Sequence, residues 1–117
     1  MMINYYDELI HVLTKHGYTL LSIDWIGTRD FTVPIYEFLQ KALNTDYNNG
    51  YGIVATPMDV VIVMKDGSWF ERAEYDGSEW WEHKKPYTKP QVNRHINTQN
   101  FEYYGYSVPK LKAYCYE

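Results

Sequence analysis

Cysteine is nearly absent. Cys115 alone among 117 residues excludes an internal disulfide and a Cys-based zinc site, and it fits a reducing compartment. No apolar run nears the roughly 18 residues of a membrane-spanning helix. The opening MMINYYDELIHVL lacks a basic segment and carries two acids, Asp7 and Glu8, before its first apolar turn, so it does not read as a secretory signal. The cytoplasm is the expected location. Basic residues are in deficit, 11 Lys and Arg against 15 Asp and Glu, for a formal charge of −4. A chain that wraps phosphate backbones by counterion release needs the opposite balance, so nucleic acid is not the expected direct partner, although KKPYTKP is locally basic. Also missing are GxSxG, a P-loop, HExxH and a GxGxxG after a strand. No catalytic set, metal or cofactor is assigned from motifs.

Tyrosine is what the chain has in excess, with 13 residues beside four tryptophans. Aromatic side chains with a polar handle suit surfaces that are half apolar and half wet, as interfaces are. Packing on a β-sheet accounts for many of them equally well. A hydrophobic content of 45% is ordinary. One domain over 1–117 is expected, burying roughly two-thirds of its unfolded surface.

Asn4 reads as an N-cap, with Asp7 and Glu8 favouring the helix dipole. Tyr6, Leu9, Ile10 and Leu13 recur at helical spacing, and Gly17 stands where a left-handed C-terminal residue belongs. A first helix is expected over 4–16. A strand over 18–26 follows, with Leu21, Ile23 and Trp25 on its apolar side. Pro34 opens a second helix, buried through Ile35, Phe38, Leu39 and Ala42 or Leu43 and ending near Asn44. The run DYNNGYG from Asp46 to Gly52 concentrates turn residues around two tyrosines and reads as an ordered loop. Beyond Pro86 the chain is polar and aperiodic, so 86–100 is a long loop or arm, with one or two short strands expected after Phe101.

The strongest local signal runs from Val60 to His83, where VVIVM, SWFERAEY and SEWWEH are joined by Asp66-Gly67 and Asp76-Gly77. Asp-Gly between alternating runs marks a two-residue type I′ hairpin. The fold class expected is α+β: an antiparallel sheet built on a three-stranded meander at about 60–84, with two helices packed on one face. Two-residue turns at both sites pair Val63 with Phe70, Val61 with Arg72, Arg72 with Trp81, Glu74 with Glu79, and Phe70 with His83. One face then carries Val61, Val63, Phe70, Arg72, Glu74, Glu79, Trp81 and His83. The other, with Val60, Ile62, Met64, Trp69 and Trp80, is the one expected under the helices. Glu74 opposite Glu79 calls for compensation from Arg72 one diagonal step away, and Arg72 is placed for a cation–π contact with Trp81.

Three chemistries fit that carboxylate pair. A divalent cation wants more ligands than two carboxylates. A glycosidase-like acid and base pair wants a cleft around a sugar. A recognition surface needs only charge and a flat aromatic anchor. The partner-binding set is therefore Arg72, Glu74, Asp76, Glu79 and Trp81 at the hairpin tip, with Tyr47, Asn49 and Tyr51 from the tyrosine loop. That loop uses the vocabulary of binding loops, while its Asp46, Asn48, Asn49, Gly50 spacing lacks the bidentate Glu of a calcium loop. The alternatives are a metal-dependent enzyme or binder on Glu74, Glu79 and His83, and a self-assembling protein whose strands pair between copies. His11 and His16 diverge on a helix, and His83 and His95 stand alone in sequence.

The motif VVIVMKDGSWFERAEYDGSEWWE, with NTDYNNGYG upstream, resembles small proteins encoded by phages and prophages of Gram-positive bacteria. The resemblance covers about the first three-quarters of the chain, and YDGSEWW from Tyr75 to Trp81 is its most specific element. It brings no catalytic residues. It implies a binder or inhibitor of host machinery, such as an anti-CRISPR-like protein, and the function expected is a non-enzymatic protein-binding module in the bacterial cytoplasm.

Overall fold

The computed structural model describes residues 2–50, 53–98, 100–102, 105 and 107–116, and the chain divides into two units, 1–86 and 87–117. In the first unit Asn4 caps α1 (Tyr5–Lys15) as expected, its side chain accepting from the Asp7 N–H at 3.0 Å. At the other end Gly17 takes φ +81°, the Gly17 N–H bonds Thr14 O and the Tyr18 N–H bonds Leu13 O, which closes the helix in a Schellman motif. The chain before α1 is β1 (Met2–Asn4). It pairs antiparallel with β4 (Asp46–Asn48), so the start of the expected loop is a strand. Asn4 explains the pairing, because its amide also donates to Asp46 Oδ1 and to Leu43 O.

The strand expected over 18–26 is shorter. Leu20–Ser22 forms a 3-10 turn, and β2 covers Ile23–Gly27. Leu21 is left 83% exposed. Within β2 the register shifts between Ile23 and Trp25, which makes Asp24 the extra residue of a bulge. The bulge reverses the alternation, so Ile23 and Ile26 share the core face and Trp25 turns outward. β3 (Thr32–Val33) pairs back on β2, and α2 (Ile35–Leu43) begins directly after Pro34.

The meander forms, within a sheet larger than three strands. β5 (Val61–Met64), β6 (Trp69–Tyr75) and β7 (Ser78–Lys84) join β2 and β3 in an antiparallel sheet of order β3-β2-β5-β6-β7. Asp76 and Gly77, at φ +50° and +85°, make the type I′ turn, and every expected β6–β7 pair is present. The first hairpin differs. The Met64 N–H bonds Ser68 O, so Lys65, Asp66 and Gly67 form a three-residue loop, with Gly67 at φ +88°. Asp66 holds that loop by accepting from the Ser68 N–H and hydroxyl. One extra loop residue slips the register by one, so Phe70 pairs with Ile62 and Trp69 with Val63.

That slip settles which face is buried. Ile62, Met64, Phe70, Arg72, Glu79 and Trp81 face the helices, and Trp69 and Trp80 do not, reversing the expected assignment of the two tryptophans. Both helices meet this one face, with Tyr5, Leu9 and Leu13 of α1 and Ala42 of α2 in one core with Ile23, Ile26, Ile62, Met64 and Phe70. In the second unit the late segment is a 3-10 turn, Leu111–Tyr114, instead of a strand. It is held by an Ile96–Cys115 bridge and by the Tyr114 hydroxyl donating to Phe101 O at 2.9 Å. Cys115 is half-buried, its Sγ 3.4 Å from Leu111 O.

Gly27 is the backbone position with least room. A Cβ there would lie 2.2 Å from Phe31 O and 2.7 Å from Thr32 Cα, because the Thr28 N–H closes a turn onto Phe31 O. Gly27→Ala should therefore destabilise by about 1–3 kcal/mol, as overpacking against main chain does. A urea midpoint equal to that of the wild type contradicts this.

Candidate functional site

The residues expected at a surface tip divide into two groups. Arg72 lies on β6 with its side chain 0% exposed. Its Nη1 donates to Glu8 Oε1 of α1 at 2.9 Å, and its Nη2 donates to Glu79 Oε1 of β7 and to the Tyr47 hydroxyl of β4, both at 3.0 Å. Three rings enclose the guanidinium, with Trp81, Tyr5 and Tyr47 centred 4.8, 5.3 and 5.7 Å from it. The diagonal Arg72–Glu79 pair and the Arg72–Trp81 contact are as the register predicts. Their burial is not, and it removes Arg72, Glu79, Trp81 and Tyr47 from any surface.

Glu79 is equally spent. Its side chain is 0% exposed, Oε2 accepts from the Ala55 N–H at 2.6 Å, and Oε1 accepts from the Thr56 N–H and hydroxyl. Burial alone would raise its carboxyl. The Ala55, Thr56 and Arg72 donors outweigh burial and hold it below the usual carboxylate range. Tyr47 donates to the Glu8 carboxylate, and burial foremost pushes its phenol up to about 12. These bonds fix α1, β4, β6, β7 and the segment at 55–56 to one cation.

The metal-dependent alternative has no geometry here. Glu74 is exposed, Glu79 is committed to Arg72, and His83 stands four residues further along β7, about 13 Å at 3.3 Å per residue. Among the described residues no group of three or more His, Cys, Asp or Glu is placed to hold a metal ion. Glu74 and Asp76 remain exposed at the tip and Asn49 is half-buried, while Tyr51 lies outside the described residues.

A second cluster, unforeseen because its members are far apart in sequence, sits at the other end of the meander. Tyr18 donates to Asp66 Oδ2 at 2.6 Å, shares a hydrogen bond with Ser68 Oγ at 2.9 Å, and lies 3.3 Å from His83 Nε2. His83 stacks on Phe70, and its ring is 4.8 Å from that of His16, so it does not stand alone. Hydrogen bonds from Ser68 and Tyr18 bring the Asp66 carboxyl down to about 2. Burial, then the neighbouring His16 and Lys85, lowers His83 below its ordinary value.

The sheet face turned away from the helices carries four cross-strand rows. Trp25, Val63, Trp69 and Lys84 form one, Val61, Glu71 and Glu82 the next, Ala73 with Trp80 the third, and Tyr75 with Ser78 the fourth. None of these residues belongs to the core cluster. Trp80 is 37% exposed, its indole donating to Glu82, which also pairs with Lys84 at 3.2 Å. No helix among the described residues is long and apolar enough to cross a membrane. No family model, curated protein or solved structure matches the chain.

Two outcomes follow from the buried cation and the lowered histidine. Arg72→Ala strands a carboxylate in the core and should cost about 3–5 kcal/mol, whereas Glu74→Lys should change stability by less than about 0.5 kcal/mol. Equal urea midpoints for the two variants contradict this. For His83 the folded value lies below the unfolded one, so the unfolded chain binds the extra proton first. Stability should then fall as pH drops below about 6.5 and level off under the folded value. His83→Phe should flatten that part of the pH–melting profile, and an unchanged slope contradicts the assignment.

Proposed function

We propose that this chain is a non-enzymatic protein-binding domain that takes a basic partner surface on the outer face of its five-stranded sheet. The observation that carries the reading is the outward placement of Trp25, Trp69 and Trp80, with Val61 and Val63, on the face opposite both helices and outside the core. Tryptophan anchors ringed by polar groups are the usual energetic centres of protein interfaces. The acids among and beside them, Glu71, Glu82 and Asp76, favour a basic partner through charge complementarity. The candidate contact residue from the hairpin tip is thus Asp76, joined by the outer-face tryptophans, while Glu74 pairs with Glu79 on the helix side of the sheet. The Arg72, Glu79, Trp81 and Tyr47 network is scaffold. An inhibitor of a bacterial host protein, of the kind the phage-protein resemblance implies, is the specific form of this reading.

Self-pairing is the second reading, favoured by β7. It is an edge strand of seven residues, and among the described residues its free side meets only the Gly50–Ser78 bridge. Glu82 and Lys84 on that strand work against pairing.

The test is retention of proteins from a Gram-positive host lysate by the wild type and by a Trp80→Ala, Glu71→Lys double variant of unchanged melting temperature. A protein retained by the wild type, lost with the variant and released by raised salt supports the reading and identifies the partner. Retention indifferent to both the variant and salt overturns it, and a dimer by light scattering that dissociates in the variant moves the face to self-association.

A further inference from the structure

Where the β2–β3 turn and the approach to β5 meet the outer face, a cavity of about 510 Å³ opens. Trp25, Val61 and Glu71 line it from the outer rows, Asp30 from the turn, and Met58 and Asp59 from the approach. Trp25, Met58 and Val61 are half-buried and supply its aromatic and apolar surface. Asp30 and Asp59 are exposed and Glu71 is half-buried, so all three carboxylates stay within reach of a ligand.

The only cation lining the same space is Arg29, also exposed. Three carboxylates against one guanidinium leave a surplus of two negative charges there. The fold does not neutralise it. The ion pairs among the described residues join Arg72 to Glu8 and Glu79 and Lys84 to Glu82, and none of them includes Asp30, Asp59, Glu71 or Arg29. A concave site lined by one sign of charge concentrates ions of the other. Among the described residues no group of three or more acids or histidines is placed to hold a metal ion, so the cation that fits is an organic one. A guanidinium suits the cavity better than an ammonium, because it is planar, weakly hydrated, stacks on an indole and forks onto a carboxylate. The apolar stem of such a side chain finds Met58 and Val61 in the same cavity.

We infer that this cavity seats an arginine side chain of the protein partner, its guanidinium against the Trp25 indole and among the carboxylates of Asp30, Asp59 and Glu71. The inference rests on the reading of the outer face as a partner surface and names the residue type that one end of that face selects.

The experiment is an amide-resolved NMR titration of the full chain at low salt with three blocked tripeptides, which carry arginine, lysine or citrulline between two glycines. Citrulline keeps the shape of arginine without its charge. The arginine peptide should bind about tenfold more tightly than the citrulline peptide, the ratio that an exposed ion pair and a cation–π contact give together, with lysine between them. Shifts should centre on Trp25, Asp30, Val61 and Glu71. An Asp30→Asn, Asp59→Asn variant should lower the arginine affinity about fivefold, whereas Glu74→Gln, on the helix side of the sheet, should leave it unchanged. No saturable binding, equal affinities for arginine and either other peptide, shifts centred elsewhere, or an equal loss in Glu74→Gln would each overturn the assignment. The peptides probe this cavity alone, so their failure leaves the tryptophan face standing. Lysate retention indifferent to Trp80→Ala, Glu71→Lys removes that face as a partner surface, and the partner's arginine with it, even where the peptides bind.

Discussion

The guanidinium of Arg72 is the contact on which the first unit depends. It is the one group bonded to residues of α1, β4 and β7 while standing on β6, and through Glu79 it also reaches Ala55 and Thr56. Taking a cation and a carboxylate wholly out of water costs several kcal/mol per ion. The geometry offsets this because Glu79 accepts from four donors and three aromatic faces replace part of the lost hydration of Arg72. Compensation is nonetheless incomplete, since Arg72 Nε and Trp81 Nε1 are buried without partners. Replacing such a network by well-packed apolar side chains is often neutral or stabilising, so its burial is weak evidence for net stability. An apolar core tolerates many packings, whereas a buried arginine is satisfied only where Glu8, Tyr47 and Glu79 converge.

Local sequence carried much of this architecture. Asp76-Gly77 fixed the β6–β7 register, and that register alone put Arg72 beside Trp81 and diagonal to Glu79. Asp66-Gly67 looks the same in sequence but forms a longer loop, because Asp66 turns its carboxylate onto Ser68 and Tyr18. The tyrosine reaches that turn from 48 residues away. No local pattern carries that information. The bulge at Asp24 is the same kind of case, where a one-residue irregularity exchanges the two faces of a strand. Together these two displacements place Trp25, Trp69 and Trp80 on the face opposite to the one that strict alternation predicts.

The buried network was half legible for a related reason. Arg72, Glu79 and Trp81 are hairpin neighbours, so their proximity follows from a turn. Glu8 and Tyr47 lie 64 and 25 residues from Arg72, and their arrival depends on β1 pairing with β4. A charged, aromatic-rich strand has the composition of a recognition surface and of a buried cation box alike. Only the position of the helices separates the two.

That separation also constrains where recognition can occur. Ionisable groups on the helix side of the sheet are largely committed to one another, in the Arg72 network at one end and in the Tyr18, Asp66, Ser68 and His83 cluster at the other. A partner engaging Arg72 or Glu79 would have to break bonds the fold requires, and its binding energy would be reduced by the cost of unfolding. A partner engaging the outer rows of Trp25, Trp69 and Trp80 covers apolar area that the core leaves unused, and it meets Glu71 with no ion pair to break. The sheet thus divides its labour by face: the register its turns set gathers buried charge on one side and orders the tryptophans on the other.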